Sequence, residues 1–185
     1  EALFGLNEDA QDTILSQPTL RCIRYNPLVA PIEETRAALI DAGVIFIDNM
    51  ELPSYCDVLS STQSELALVT LQTGATNGSV FYQNPSSILP VIALDPQPGE
   101  NILDLCASPG GKTSLIAALT NNQAHLTLND TSFDRLQRLK RVCQLLQVKP
   151  AEYTMVKGEA ASKKFTLESF DKIILDAPCS GEDIR

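Results

Sequence analysis

Asp104-Leu-Cys-Ala-Ser-Pro-Gly-Gly-Lys-Thr113 decides the fold of this chain. An apolar pair, Ile102-Leu103, precedes it, and Leu115-Ile-Ala-Ala-Leu119 follows it. That order predicts a buried strand, a glycine turn and a helix. In open α/β sheets, ligands bind at such a turn, beyond the carboxyl end of the strand. Gly110 and Gly111 let a ligand approach the backbone closely, because no Cβ intervenes. A second polar loop, Asp176-Ala-Pro-Cys-Ser-Gly181, follows the short apolar run Ile173-Ile-Leu175. Two polar loops at the ends of two buried strands define one site.

The first loop is not a triphosphate cradle. The motif Gly-x-x-x-x-Gly-Lys-Thr shares the ending Gly111-Lys112-Thr113, but its first glycine falls on Cys106. Pro109 also removes an amide that an anion cradle uses. The loop suits a cofactor lying against the backbone and the helix start. Leu126-Thr-Leu128 reads as a second strand ending at Asn129-Asp130. An acidic side chain at that tip, 26 residues after Asp104, is placed to accept hydrogen bonds from the ribose diol of an adenosine cofactor. The other use for Asp130 is to cap the next helix, a task open also to Thr131 or Ser132. Segments 100–106, 111–120, 126–130, 132–147, 153–157 and 171–176 alternate strand and helix. This predicts a parallel sheet covered by helices on both faces, with right-handed crossovers.

The first half reads differently. A helix is expected over Asp9–Leu15, closed by Pro18, then a strand over Thr19–Tyr25. Pro31 starts a helix that runs to Ala42 with Gly43 as its cap. Val44-Ile-Phe-Ile47 reads as a second strand. Tyr55–Leu59, Leu66–Leu71 and Val80–Tyr82 supply further short elements. Asn77-Gly78 marks a turn, and a short helix opens at Pro85-Ser-Ser87 and runs through Leu94.

Of the 185 residues, 44% are hydrophobic and 20% charged, enough for a substantial core in a globular protein. No run approaches transmembrane length, and no secretory signal is present. Five cysteines (22, 56, 106, 143 and 179) form no Cys-x-x-Cys pair; an odd, unpatterned set suggests reduced thiols and a cytoplasmic location. With His125 as its one histidine, the chain is not expected to bind a metal. Cys22, Cys56 and Cys143 sit on apolar elements and are read as core. The net charge is −9, and it is uneven: residues 1–95 hold three basic and twelve acidic residues, residues 96–185 eleven of each. Nucleic-acid affinity calls for a basic footprint. The concentrated one is Arg135, Arg138, Lys140 and Arg141, with Lys149, which also reads as a solvated helix face.

Asp104–Thr113 and Asp176–Gly181 resemble motifs I and IV of the Sun/Nop family of RNA (cytosine-5) methyltransferases. Tyr82-Gln-Asn-Pro-Ser-Ser-Ile-Leu-Pro90 and Leu94-Asp-Pro-Gln-Pro-Gly99 match the family as well. The resemblance spans nearly the whole chain, weakly before residue 79 and strongly after it. It implies an α/β fold: a Rossmann-like methyltransferase sheet over residues 79–185, truncated at its C-terminal side, preceded by a small α+β RNA-recognition-like subdomain over residues 1–78. It implies S-adenosyl-L-methionine as cofactor, held by Cys106, Ala107, Ser108, Pro109, Gly110, Gly111, Lys112, Asp130 and Asp176. Lys157-Gly158-Glu159 stands where the family usually carries Gly-Asp, with the carboxylate near the adenine amino group. Glu159 is one methylene longer and reads equally as a surface residue.

The implied substrate is RNA, ribosomal or transfer, without membrane or metal. In cytosine-5 chemistry a thiolate adds to ring carbon 6, and carbon 5 then takes the methyl group. Asp176 stabilises the adduct at ring nitrogen 3 if the crevice keeps it protonated; it can otherwise cap the Pro-Cys-Ser turn. Cys179 has two functional readings. In DNA enzymes the Pro-Cys thiol is the nucleophile, whereas in the RNA family it helps release the product. The flanking Asp-Ala-Pro-Cys-Ser-Gly favours release. The attacking cysteine is then expected beyond Arg185, on a later strand, and the truncated sheet is expected to expose an edge and to dimerise or aggregate. The competing class is a non-catalytic RNA- or protein-binding factor that keeps the cofactor fold; a third is a methyltransferase for DNA or protein. Residues 1–78 carry no Lys/Arg-Gly-Phe sequence and are acidic, so their role is RNA contact or structure alone.

Overall fold

The computed structural model describes residues 21–47, 53–60, 62–154, 165 and 169–177. The expected first helix, Asp9–Leu15, lies outside them, as do Glu159 and Cys179. Chain order is β1 Arg21–Tyr25, α1 Ile32–Asp41, β2 Cys56–Leu59, α2 Glu65–Asn77, β3 Val80–Tyr82, a 3₁₀ turn Pro85–Ser87, and α3 Leu89–Leu94. There follow β4 Asn101–Asp104, α4 Gly111–Leu119, β5 His125–Asn129, α5 Phe133–Leu145, β6 Glu152–Thr154 and β7 Lys172–Ile174.

The first sheet is antiparallel in the order β2-β1-β3. The strand expected over Val44–Ile47 is not formed; one antiparallel bridge, Phe46 to Leu59, stands in its place. Around that bridge Ile47 N donates to Val58 O (2.8 Å) and Ile45 O accepts from Ser60 N (2.9 Å), while the Gln63 side chain accepts from Ile45 N (3.0 Å) and donates to Ile45 O (2.7 Å). With that bridge the order is the split β-α-β-β-α-β arrangement. Side chains alternate across β1. Ile23 and Tyr25 face the helices with Leu39, Ala67 and Leu71. Cys22, with Cys56 of β2, joins Ile88, Val91, Leu115 and Ile116 in the core of the second sheet. The sheet face on which an RNA-recognition domain stacks bases is therefore covered by the second layer.

The second sheet is parallel, in the order β6-β5-β4-β7. The chain moves outward from β4 to β6 and returns to β7 on the other side of β4. The strand order thus reverses between β4 and β7, and a crevice opens beyond their carboxyl ends, at Asp104 and Ile174. Leu115, Ile116 and Ala117 of α4 are buried against this sheet. Helix α5 buries Leu136, Leu139 and Cys143 on one stripe, and Arg138, Lys140, Arg141 and Lys149 lie exposed on the other side. Among the described residues no helix is long and apolar enough to cross a membrane.

Candidate cofactor and catalytic site

The crevice holds a cavity of about 420 Å³. The glycine turn lines it through Cys106, Ala107, Ser108, Pro109, Gly111 and Lys112, with Asp104 at the strand end and Asp176-Ala177 opposite. Seven of the sequence-predicted site residues therefore line one cavity. Phe81, Gln83, Asn84 and Ser87 also line it, without a role from sequence, and so does Arg135, which the sequence placed only in a basic helix run. The signal was present in Tyr82–Pro90, a stretch marked by resemblance alone. A larger hollow of about 820 Å³ between Arg21, Tyr82 and α2 carries no predicted site residue.

Gly110 is at φ +111°, and a Cβ there would lie 3.1 Å from Leu139 Cδ1 and 3.2 Å from Val142 Cγ1. Both conformation and packing against α5 require glycine, and Gly110 is not part of the cavity wall. A Cβ on Gly111 would meet Phe81 Cε1 at 3.3 Å and Gln83 Nε2 at 3.5 Å. The close approach at Gly111 is thus to β3 and the residue after it. The Ser108–Pro109 peptide is cis.

Asp104 is buried, and Thr113 Oγ1 donates to its Oδ2 at 2.7 Å. Burial pushes its carboxyl up to about 6, against the Thr113 and Cys106 hydrogen bonds and the Lys112 charge that pull the other way. Burial also raises the Cys106 thiol, with the nearby Asp104 and Asp130 carboxylates adding to it. Lys112 Nζ pairs with Asp176 Oδ2 across the mouth of the crevice. The Asp176 side chain is 57% exposed, at the rim rather than enclosed.

Asp130 sits at the tip of β5 as expected but is 2% exposed. Its Oδ2 accepts from Ser108 N at 3.3 Å and Arg135 Nε at 3.1 Å, and its Oδ1 from Ser132 N at 3.2 Å. Arg135 Nη2 in turn donates to Ser108 O. Arg135 faces the cavity; Asp130 lies behind it. The four described cysteines, 22, 56, 106 and 143, are free. Among the described residues no His/Cys/Asp/Glu group could hold a metal ion.

A parallel sheet with this strand order, a glycine turn after its central strand and acidic groups around the turn defines a class, the Rossmann-like methyltransferases. Within it, the chain belongs to the family described as 16S rRNA methyltransferase RsmB/F, whose model matches residues 91–185. It is 42% identical over 113 residues to human tRNA (cytosine(72)-C(5))-methyltransferase NSUN6, over 55% of this chain and 24% of that one. It is 36% identical over 171 residues to 25S rRNA (cytosine-C(5))-methyltransferase nop2 of Schizosaccharomyces pombe, over 88% of this chain and 26% of that one. The crystal structure of a methyltransferase homologue from Pyrococcus horikoshii superposes with a TM-score of 0.75 at 28% identity, over 94% of this chain and 55% of that one. The chain thus spans about a quarter of the length of these curated relatives. Its membership agrees with the Sun/Nop resemblance of the sequence.

Proposed function

We propose that this chain carries the cofactor site and part of the catalytic site of an S-adenosyl-L-methionine-dependent RNA (cytosine-5) methyltransferase acting on ribosomal or transfer RNA in the cytoplasm. The observation that carries the reading is the cavity at the strand reversal, where Asp104, the turn Cys106–Lys112 and Asp176 converge. Its volume of about 420 Å³ falls within the roughly 300–1,000 Å³ of small-molecule sites. Its lining suits a cationic, amphipathic cofactor: a buried carboxylate at Asp104, apolar contacts from Phe81, Ala107 and Pro109, and polar groups at Ser108 and Lys112.

When bound, S-adenosyl-L-methionine supplies an electrophilic methyl group on a sulfonium. The turn holds the cofactor against its backbone, and Asp130 takes the ribose diol in competition with Arg135 Nε. Glu159 is assigned to the adenine end. Asp176, steadied by Lys112, is the group assigned to ring nitrogen 3 of the target cytosine, and Cys179 is the thiol assigned to product release. Titration calorimetry of the chain with S-adenosylhomocysteine tests the cofactor site, with one-to-one binding expected. Absence of binding would overturn the reading. In a protein that carries this chain and is active on RNA, Cys179→Ala should accumulate a covalent protein–RNA adduct on a denaturing gel, since attack survives and release does not. Loss of turnover without any adduct would make Cys179 the nucleophile.

A further inference from the structure

Arg24, in the middle of the first sheet, is fully buried. Among the described residues no carboxylate pairs with it. Burial pulls its guanidinium down to about 10, so it remains charged at neutral pH. A buried charge without an ionic partner costs stability, and something must offset it. Its contacts point one way. Arg24 Nε donates to Gln83 Oε1 at 2.9 Å, and Nη2 donates to Ser114 Oγ at 2.6 Å. Ser114 Oγ donates its own hydrogen bond to Gly111 O at 3.0 Å. The guanidinium also lies 5.4 Å from the centre of the Phe81 ring. Gln83 and Phe81 are the two side chains against which Gly111 rests. Every one of these partners is on the cavity wall or in the first turn of α4.

We propose that Arg24 is a positioning residue for the cofactor turn: from a different sheet, it fixes through Ser114 the Gly111 carbonyl and the start of α4. The inference rests on the cofactor reading above for its consequence, but not for its geometry. A charge-assisted hydrogen bond to Ser114 orients the hydroxyl, so that its one proton is committed to Gly111 O. Without Arg24, the hydroxyl rotates and the first turn of α4 frays.

The test is a double-mutant cycle on the 185-residue chain with Arg24→Met, Ser114→Ala and the pair. Three quantities are read: S-adenosylhomocysteine affinity, melting temperature, and hydrogen exchange of amides 111–115 in the free chain. Each single variant should lose about tenfold in affinity, the pair no more than either, and exchange should quicken by about tenfold at 111–115 with melting shifted by only a few degrees. Additive losses would show that Arg24 does not act through Ser114. Exchange that rises throughout the molecule, with melting falling in step, would reduce Arg24 to a structural role. Either result overturns the proposal. Ser114→Ala, which leaves the buried charge in place, carries the test alone if Arg24→Met does not fold. If the wild type binds no S-adenosylhomocysteine the cofactor reading fails, and exchange at 111–115 still decides the positioning.

Discussion

Asp104 and Asp130 stand at the tips of neighbouring strands and have different hydrogen-bond partners. Asp104 is enclosed, and its carboxyl titrates at about 6, above the ordinary value of 3.8. The folded state therefore binds this proton more tightly than the unfolded chain does. The resulting stabilisation is full below about pH 4 and is lost as pH rises through about 6, by on the order of 3 kcal/mol. Denaturant titrations of the wild type and Asp104→Asn should show the wild type losing that much relative to the variant between pH 4 and 7, whatever offset the amide itself introduces. A difference independent of pH would mean that Asp104 is not desolvated. Asp130, by contrast, is held by two backbone amides and Arg135. Asp130→Ala should weaken S-adenosylhomocysteine binding by tenfold or more, since hydrogen bonds to a charged group are worth about 1.5–3 kcal/mol. Arg135→Ala removes one of the two donors to Oδ2, leaving Ser108 N, and should weaken binding much less, or strengthen it. Equal losses in the two variants would transfer the ligand contact to Arg135.

Helix ends as well as helix faces join the two sheets. Gly78 ends α2 at φ +84°, and a Cβ there would lie 2.3 Å from Leu145 O at the end of α5. Asn26 Nδ2 donates to both Gly78 O and Leu146 O, clipping the two helix ends together. Gly99 offers a control, at φ +85° with nothing within 4 Å. Alanine at Gly99 should cost only the left-handed strain, about 1–2 kcal/mol. Gly78→Ala adds a backbone clash and should cost clearly more; equal midpoints in urea would show that the α2–α5 contact yields freely. These junctions also mark where the sequence stops being readable. Periodicity and glycine located β4, α4, β5 and α5 within a few residues, because each is an apolar run bounded by turn formers. Val44–Ile47 looked like a strand by the same rule, and only the bridge from Phe46 to Leu59 formed, with the side chain of Gln63, eighteen residues on, bound to both backbone groups of Ile45. The turn was legible as a site because its chemistry is local. Arg24, Gln83 and Arg135 were not, because their roles come from contacts across 5 to 90 residues that no pattern records.

At the scale of the molecule, two surfaces set the behaviour. Among the described residues β7 pairs only with β4, and Leu175 is 65% exposed beside Ile173, with Leu89 and Ile92 of the neighbouring α3 exposed as well. Apolar side chains exposed together on one face invite association, and light scattering should report dimers or larger species that Leu175→Lys diminishes. The other surface is internal. The proposed division at residue 78 cuts through the first sheet, since β3 lies after it; Cys22 and Cys56 of that sheet also belong to the core of the second, and Arg24 and Asn26 reach across to α4 and the end of α5. Unfolding the first sheet alone would strip the apolar cover from Ile88, Val91 and Leu115 and leave Ser114 without its donor. The two sheets should therefore unfold in one step rather than as separate domains. Native-state hydrogen exchange in rising urea reads this directly. The amides of β1 and β4 should merge onto one unfolding free energy and one denaturant slope. If β1 to β3 opened at a distinctly lower free energy while β4 and β5 stayed protected, the shared core would be a contact between independent domains.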